Sequence, residues 1–563
     1  MVSLRTPGGL ALNVSPVMRV DGVERNADTA DEVITTGSGV VLRWGELELT
    51  LTTQVTIDGG HDVSVAMRAG DQAVVVESLG VAIDSTQATR LLAEGYHSWD
   101  WSGLCDLAQP GHSWWGTLLG TPGGPRNAVR LRNIPTVGAL AFLWQGDGKL
   151  EARTTGTPLQ AGDRTGGPTS LNVTVPAGER FAGETITIAP YQSATITGAG
   201  LPQLAADDHQ PLPRQVGWMS WNIFEKRVLA SNIVDAVDMV PDGGLLFLDD
   251  GWMPAWGDWY AHPNFGATLE ELSADLAAKN RQLGVWFNPF HVALHSEVAR
   301  THPEWLLRDR SGDVMIDPRP GHPNHVLDAS IPAVREHLAA LGTRLGAAGV
   351  AAIKIDFVYA GTLPGIRATG WTDVSAARAG LEALITGYRT AAGPQGRVYG
   401  CGAPGPLLVG LADANRSGAD GIIGLAGFAG NTSHDIRSLQ AQERNLAARA
   451  VLWGSTLPTD VDALTLGQFH QHPAIDDAGV EQWMRIADRS GGPLFGSDTL
   501  DQIDASRQHQ FLRLAAQLEG RPAIPERPLD PLAGNAIAPQ PPDFFHPGGR
   551  VQSAWTGDPG LSL

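Results

Sequence analysis

The amino-acid sequence predicts a multidomain α/β protein, with an N-terminal antiparallel β-sandwich followed by a (β/α)8 TIM-type barrel and a short C-terminal region. Three observations predict it. The 563 residues exceed the roughly 250–300 that a single hydrophobic core serves. The N-terminal part alternates apolar and polar residues with a period of two, between Gly, Asp and Asn turns. After a proline-bearing segment at 211–215, short apolar runs alternate with Ala/Leu-rich stretches of helical period.

Residues 1–208 make the expected sandwich, with runs such as VVLRWGELELTLTTQVTI and HDVSVAMRAGDQAVVVESLGVAI. Each places one side of a strand on a core and the other in water. Residues 209–505 make the expected barrel. Its candidate strands are QVGWMSW, GGLLFLDDGW, QLGVWFNPF, VAAIKIDFVY, RVYGCGAP and ADANRSGAD. Stretches such as TLEELSADLAAKN and IPAVREHLAALGTRLGAAG lie between them as helices. Repeated βα units with carboxylates at the strand ends are the sequence form of a TIM-type barrel, whose C-terminal strand ends surround one pocket. Residues 506–563 hold one helical stretch, QHQFLRLAAQLEG, then a proline-rich segment and tail. They read as a short C-terminal region that fits part of a β domain.

Composition narrows the function classes. The formal net charge is -20, with 60 acidic against 40 basic residues, and phosphate binding needs clustered Lys and Arg, so nucleic acid is not an expected partner. No apolar run approaches the roughly 20 residues of a spanning helix, so no membrane partner is expected. The start, MVSLRTPGGLALNVSPVMRV, breaks any apolar block with Gly, Pro and Asn, and the two cysteines, Cys105 and Cys401, lie far apart. They read as free thiols of a reducing compartment, and a cytoplasmic location is expected. The 17 Trp against 6 Tyr suit a pocket in which indole faces cover a sugar ring, although Trp also fills cores. Oligomeric state is not legible.

Several residues are candidates for chemistry. Lys354 and Asp356 stand two apart in AAIKIDFVYAG, on the same side of one strand, where an ammonium beside a carboxylate favours the charged nucleophilic form. A structural ion pair at a barrel end fits the same spacing. Asp420 closes NRSGAD, four residues after Arg416, on a Gly-rich loop. A second carboxyl in a different environment meets the need for a general acid, and a plain surface turn fits equally. Asp249 and Asp250 close the strand LFLDDGW, where two acceptors at a pocket rim suit hydroxyl recognition; a cation site or a helix cap are the alternatives. Trp218, Trp221, Trp286 and the cluster EGYHSWDW, with Tyr96, supply aromatic walls. No GxSxG, HExxH or P-loop is present, which removes the serine-hydrolase, zincin and NTPase readings.

In the order in which they stand, EGYHSW, VGWMSWN, LDDGW, GVWFNPF with HPEW, IKIDFVYAGTLPG, YGCGAP, NRSGAD and LPTDVDAL make the chain resemble the compact bacterial α-galactosidases of glycoside hydrolase family 36. The likeness spans roughly Leu92 to Leu500. It implies a retaining, exo-acting hydrolase of terminal α-galactosides, with Asp356 as nucleophile and Asp420 as acid/base. It implies a small galactoside or oligosaccharide substrate held by Tyr96, Trp218, Asp249, Asp250, Trp286, Lys354, Cys401 and Arg416, with no metal and no cofactor. Three departures bear on the sugar rather than the reaction: Tyr96 stands where Trp is usual, Met219 where Cys is frequent, and Gly421 where Thr or Asp is common. Retaining chemistry on another glycoside, transfer to a sugar acceptor, a catalytically silent sugar-binding barrel, and an isomerase or aldolase using Lys354 are the competing readings.

Overall fold

The computed structural model describes residues 1–5, 11–55, 60–84, the strand segments at 88–93, 103–106, 128–132, 139–144 and 149–155, then 173–190. It also describes most of 211–416, isolated positions up to 449, then 457–467, 476–499 and 502–523.

Before residue 191 every pairing is antiparallel, in a six-stranded and a nine-stranded sheet. The first is built around Ala11–Val20 and Val74–Asp84. In the second, His61–Arg68 lies between Leu47–Val55 and Arg180–Pro190. The period-two pattern does what it predicts: Val40, Leu42 and Trp44 are buried along Gly39–Trp44, and Val63, Val65 and Met67 along His61–Arg68. Val14 and Val81 of the first sheet and Leu49 and Val63 of the second belong to one buried apolar cluster.

From residue 216 the strands form a nine-stranded sheet in which every pairing is parallel, with a small antiparallel pair, His291–Ala293 and Asn324–Val326, beside it. The nine are β1 (Val216–Met219), β2 (Leu245–Leu248), β3 (Gln282–Phe287), β4 (Ala352–Ile355), β5 (Arg397–Gly400), β6 (Ala414–Arg416), β7 (Thr459–Asp460), β8 (Ala463–Leu464) and β9 (Leu494–Gly496). Strands β1 to β7 pair in sequence, while β8 pairs with β9 and β9 with β1. The two ends of this path, β7 and β8, are separated by residues 461–462 alone, so the sheet curls back on itself in a TIM-like manner. The six strands expected from sequence lie at β1 to β6. The segment supplying β7 and β8 escaped because each piece spans only two residues, too short for a periodic signal.

The interior is filled rather than open. Phe247 of β2, Tyr399 of β5 and Phe495 of β9 pack on one another with centroids 5.3–6.0 Å apart. Gly217 and Gly284 leave room for them, since a Cβ at either would come within 2.7 Å of Phe495 or Phe247 ring atoms.

Outside lie helices whose ends the sequence also dictates. Helix α1 (Leu269–Ala277) opens on a capping box, in which Glu271 N donates to Thr268 Oγ1 at 3.1 Å and Thr268 N to Glu271 Oε2 at 2.8 Å. Helix α2 (Pro332–Ala347) begins with proline, which has no N–H to leave unpaired. It packs on α3 (Asp373–Ala392). Helix α4 (Asp477–Arg489) follows β8, and α5 (Ala505–Leu518) closes the described chain. The expected barrel boundary at residue 505 falls at the first residue of α5. In the structure Phe511 of α5 packs over Gly496, and Glu519 accepts the backbone N–H of Val216 at 2.8 Å. No described helix is long and apolar enough to cross a membrane.

Candidate active site

The barrel interior fixes which strand-end residues meet. Side chains alternate along a strand. Phe247, Ala352, Tyr399 and Ala414 belong to the interior cluster, and Gly284 faces Phe247. Stepping two residues at a time toward the C-terminal ends gives Asp249, Trp286, Lys354 then Asp356, Cys401 and Arg416. These six candidates are therefore in phase with the interior, and all are buried. They ring the mouth at which TIM-type barrels place their chemistry.

Asp356 accepts two hydrogen bonds, from Trp286 Nε1 to Oδ2 at 2.9 Å and from its neighbour's Phe357 N–H to Oδ1 at 2.7 Å. The second requires a sharp turn: Phe357 has φ +49°, a left-handed conformation costly for a residue with a side chain. Its ring is held among Trp256, Trp286 and His291, with centroids 5.2–6.3 Å away. Trp286 is itself braced, because Trp252 Nε1 donates to its carbonyl at 2.9 Å.

Lys354 differs from the sequence expectation. Its Nζ donates to Asp249 Oδ2 at 3.0 Å, so its direct partner is the carboxylate of β2 and not Asp356. Burial works against the Lys354 ammonium, but the negative charge of Asp249, with Cys401 and Asp356 nearby, outweighs it and holds the pKa above the ordinary lysine value. Burial likewise pushes Asp249 up, and contact with Lys354 pulls it back. Asp249 is fixed by Ser220 Oγ, which accepts its backbone N–H at 3.0 Å, while its Oδ1 accepts the Asp250 N–H at 2.9 Å.

Asp250 follows the strand end and turns another way. Its Oδ1 accepts from Trp256 Nε1 at 3.1 Å, and its Oδ2 lies 3.7 Å from Lys226 Nζ. Burial raises its carboxyl to about 6, against the opposing effect of Lys226. Arg416 is buried between Asp462 at 2.8 Å and Asp460 at 3.6 Å. Cys401 is buried and forms no disulfide, and its backbone N–H donates to the Ile355 carbonyl at 2.8 Å.

Trp218 does not join this ring. It is out of phase with the inward-facing Gly217 and Met219, is fully buried, and gives its indole N–H to the Asp498 carbonyl at 2.7 Å. Its place is in the packing outside the strands. Tyr96, Asp420 and Gly421 lie outside the described residues. Among the described residues no cluster of His, Cys, Asp or Glu is arranged to hold a metal ion. Sequence reasoning missed Trp256, Phe357 and Lys226. The signal for Trp256 was the repeated Trp in DDGWMPAWGDW; nothing marked the other two.

The family model described as Melibiase matches residues 221–378. That stretch is similar to the melibiase family. It holds Asp249, Asp250, Trp286, Lys354 and Asp356, and ends within α3. A curated relative, the bifunctional alpha-galactosidase/sucrose kinase AgaSK of Mediterraneibacter gnavus, is 24% identical over 149 residues, covering 23% of this chain and 16% of that protein. The match thus spans about one sixth of that relative's length. Among solved structures, TtGalA, an alpha-galactosidase from Thermus thermophilus in complex with p-nitrophenyl alpha-D-galactopyranoside, is similar with a TM-score of 0.57 and 20% identity, covering 92% of this chain and 96% of that one. The GH36 alpha-galactosidase AgaA from Geobacillus stearothermophilus gives a TM-score of 0.56 and 14% identity, covering 92% and 75%. At such identities the likeness establishes the fold, including the TIM-like domain outside the melibiase-like segment.

Proposed function

We propose that the chain is a retaining, exo-acting glycoside hydrolase that removes terminal α-galactosyl residues, with Asp356 as nucleophile and Asp420 as acid/base. The observation that carries the reading is the Asp356 carboxylate, aimed into the barrel mouth by the Trp286 indole and the Phe357 amide, beside the buried Lys354–Asp249 pair. The melibiase-like segment that contains it, and the naming of its relatives as alpha-galactosidases, support the substrate class.

The chemistry follows from these roles. An Asp356 oxygen attacks the anomeric carbon as Asp420 gives its proton to the glycosidic oxygen, and the alcohol leaves. The sugar is then an ester of Asp356. Water attacks the anomeric carbon of that ester as Asp420 takes its proton, the bond to the Asp356 oxygen breaks, and the sugar leaves with its anomeric configuration retained. A separation of about 5–5.5 Å between the two carboxyls is expected for this route. Asp249 and Lys354 supply an acceptor and a donor for sugar hydroxyls at the rim, joined by Asp250, Arg416 and Tyr96. The Cys401 thiol closes the wall. Neither step calls for a cofactor.

We also read the two N-terminal antiparallel sheets as the layers of a β-sandwich over 1–208, and we extend the barrel domain through α5.

The test compares p-nitrophenyl α-D-galactopyranoside with the α-glucoside and the α-N-acetylgalactosaminide, in wild type and Asp356→Ala. The expected result is selective cleavage of the galactoside, lost in the variant and restored by azide as the inverted galactosyl azide. Preference for another glycoside would move the substrate, and full activity in Asp356→Ala would remove the nucleophile.

A further inference from the structure

We propose that Lys226 is a positioning residue for sugar recognition, a cation built into the loop after β1 to keep the Asp250 carboxylate in its accepting form and turned toward the ligand. The proposal rests on the reading of Asp250 as a hydroxyl-holding group.

Four observations point to it. The Lys226 ammonium lies 3.7 Å from Asp250 Oδ2 and 5.6 Å from the centre of the Trp256 ring, whose N–H holds the other oxygen of the same carboxylate. One cation thus touches both the acceptor and its anchor. At 3.7 Å the contact is electrostatic and beyond hydrogen-bond length, which leaves accepting capacity on the carboxylate for a hydroxyl.

The backbone makes a special effort to place it. Glu225, immediately before, has φ +46° and ψ −139°, a combination nearly confined to glycine. Gly251, immediately after Asp250, has φ +121°, and a Cβ there would lie 2.7–2.9 Å from the backbone of Lys226. The two loops touch only because that residue is glycine.

Such strain is not repaid in stability. The Lys226 side chain is 63% exposed, and an ion pair with so exposed a partner contributes little to folding. Strain held at an exposed charge beside a binding carboxylate is the pattern of a functional site.

The pair is also reachable. Lys226, Asp250 and Trp256 line a pocket of about 420 Å³ together with His295 and Asn324. The groups that set the charge of Asp250 are few: burial and Asp249 oppose ionisation, while Lys226, the Trp256 indole and the Gly251 amide favour it. His295 faces the same pocket from the loop after β3.

The experiment measures galactose affinity by titration calorimetry, and kcat/KM on the nitrophenyl galactoside, from pH 5 to 9 in the full chain. The proteins are wild type, Lys226→Met, Lys226→Arg and Asp250→Asn. In wild type the acid limb should fall near the Asp250 carboxyl, at about 6. In Lys226→Met the limb should move up by roughly one unit, giving about fivefold weaker binding at pH 6 and wild-type binding at pH 9. Lys226→Arg should restore the wild-type limb. A purely structural role would lower affinity equally at every pH, and that result, or an unmoved limb, overturns the proposal. Should Lys226→Met fail to fold, the wild-type limb decides: raising salt from about 0.05 to 1 M must shift it upward, because an exposed cation is screened. An Asp250→Asn variant that binds as wild type would instead remove the reading of Asp250, whatever Lys226 does.

Discussion

Replacing Trp286 by Phe tests whether the Asp356 carboxylate is aimed by its neighbours. The indole gives one N–H to Oδ2 at 2.9 Å, and the Phe357 amide gives the other bond at 2.7 Å. Phe cannot donate, yet keeps a ring for the contacts with Trp256, Trp259 and Phe357, whose centroids lie 5.8–6.3 Å away. The change therefore removes a hydrogen bond to a charged acceptor while sparing most of the packing. Such a bond contributes about 1.5–3 kcal/mol, which corresponds to roughly 10- to 150-fold in rate if the bond is made to the attacking oxygen or its partner. The assay is kcat/KM on p-nitrophenyl α-D-galactopyranoside together with the pre-steady-state rate of nitrophenol release, and a thermal melt confirms the fold. Loss confined to the first chemical step, within that range, is the expected outcome. Activity within twofold of wild type would show that Asp356 is oriented without Trp286. A change in KM alone would make Trp286 a wall of the sugar pocket and nothing more.

Two further predictions need no substrate. Arg367 is buried between Asp328 at 3.0 Å and Asp373 at 2.8 Å, and it also donates to the carbonyls of Gly361 and Leu363. Arg367→Met strands two carboxylates and should cost about 3–5 kcal/mol in urea denaturation; a loss under 1 kcal/mol would mean that water replaces the guanidinium. Burial raises the Asp498 carboxyl to about 6, against the opposing N–H groups of Leu466 and Gly467. Between the unfolded value of 3.8 and about 6 the folded chain keeps a proton that the unfolded chain has released. Stability from this group is therefore greatest below about pH 4 and falls as pH rises to 6, by roughly 3 kcal/mol. Asp498→Asn should flatten that part of the melting-temperature profile, and an unchanged slope would refute the assignment.

The sequence was legible where periodicity and chemistry coincide. Strands β1 to β4 each lie in an apolar run that ends in a polar group, as in GGLLFLDDGW and VAAIKIDFVY. Lys354 and Asp356 could be placed on one side of a strand from spacing alone. The same rule, applied once the strands are seen, explains why Trp218 stands apart from the ring: it sits between two inward-facing residues and so faces outward. Only within-strand neighbours are visible in a sequence, so spacing pairs Lys354 with Asp356. The actual partner of Lys354, Asp249, is 105 residues away, brought close because β2, β3 and β4 are adjacent in the sheet.

By itself, then, the sequence determined the parallel-strand character, the candidate carboxylates and the alternation that turns them inward, since these depend on local geometry and on burying one side of each strand. Only the tertiary structure decided which charges meet. The Asp249–Lys354 pair, the indole on Asp356, the left-handed turn at Phe357 and the approach of Lys226 to Asp250 all depend on distances between loops remote in sequence. Closure of the sheet sets those distances, and no local preference encodes them.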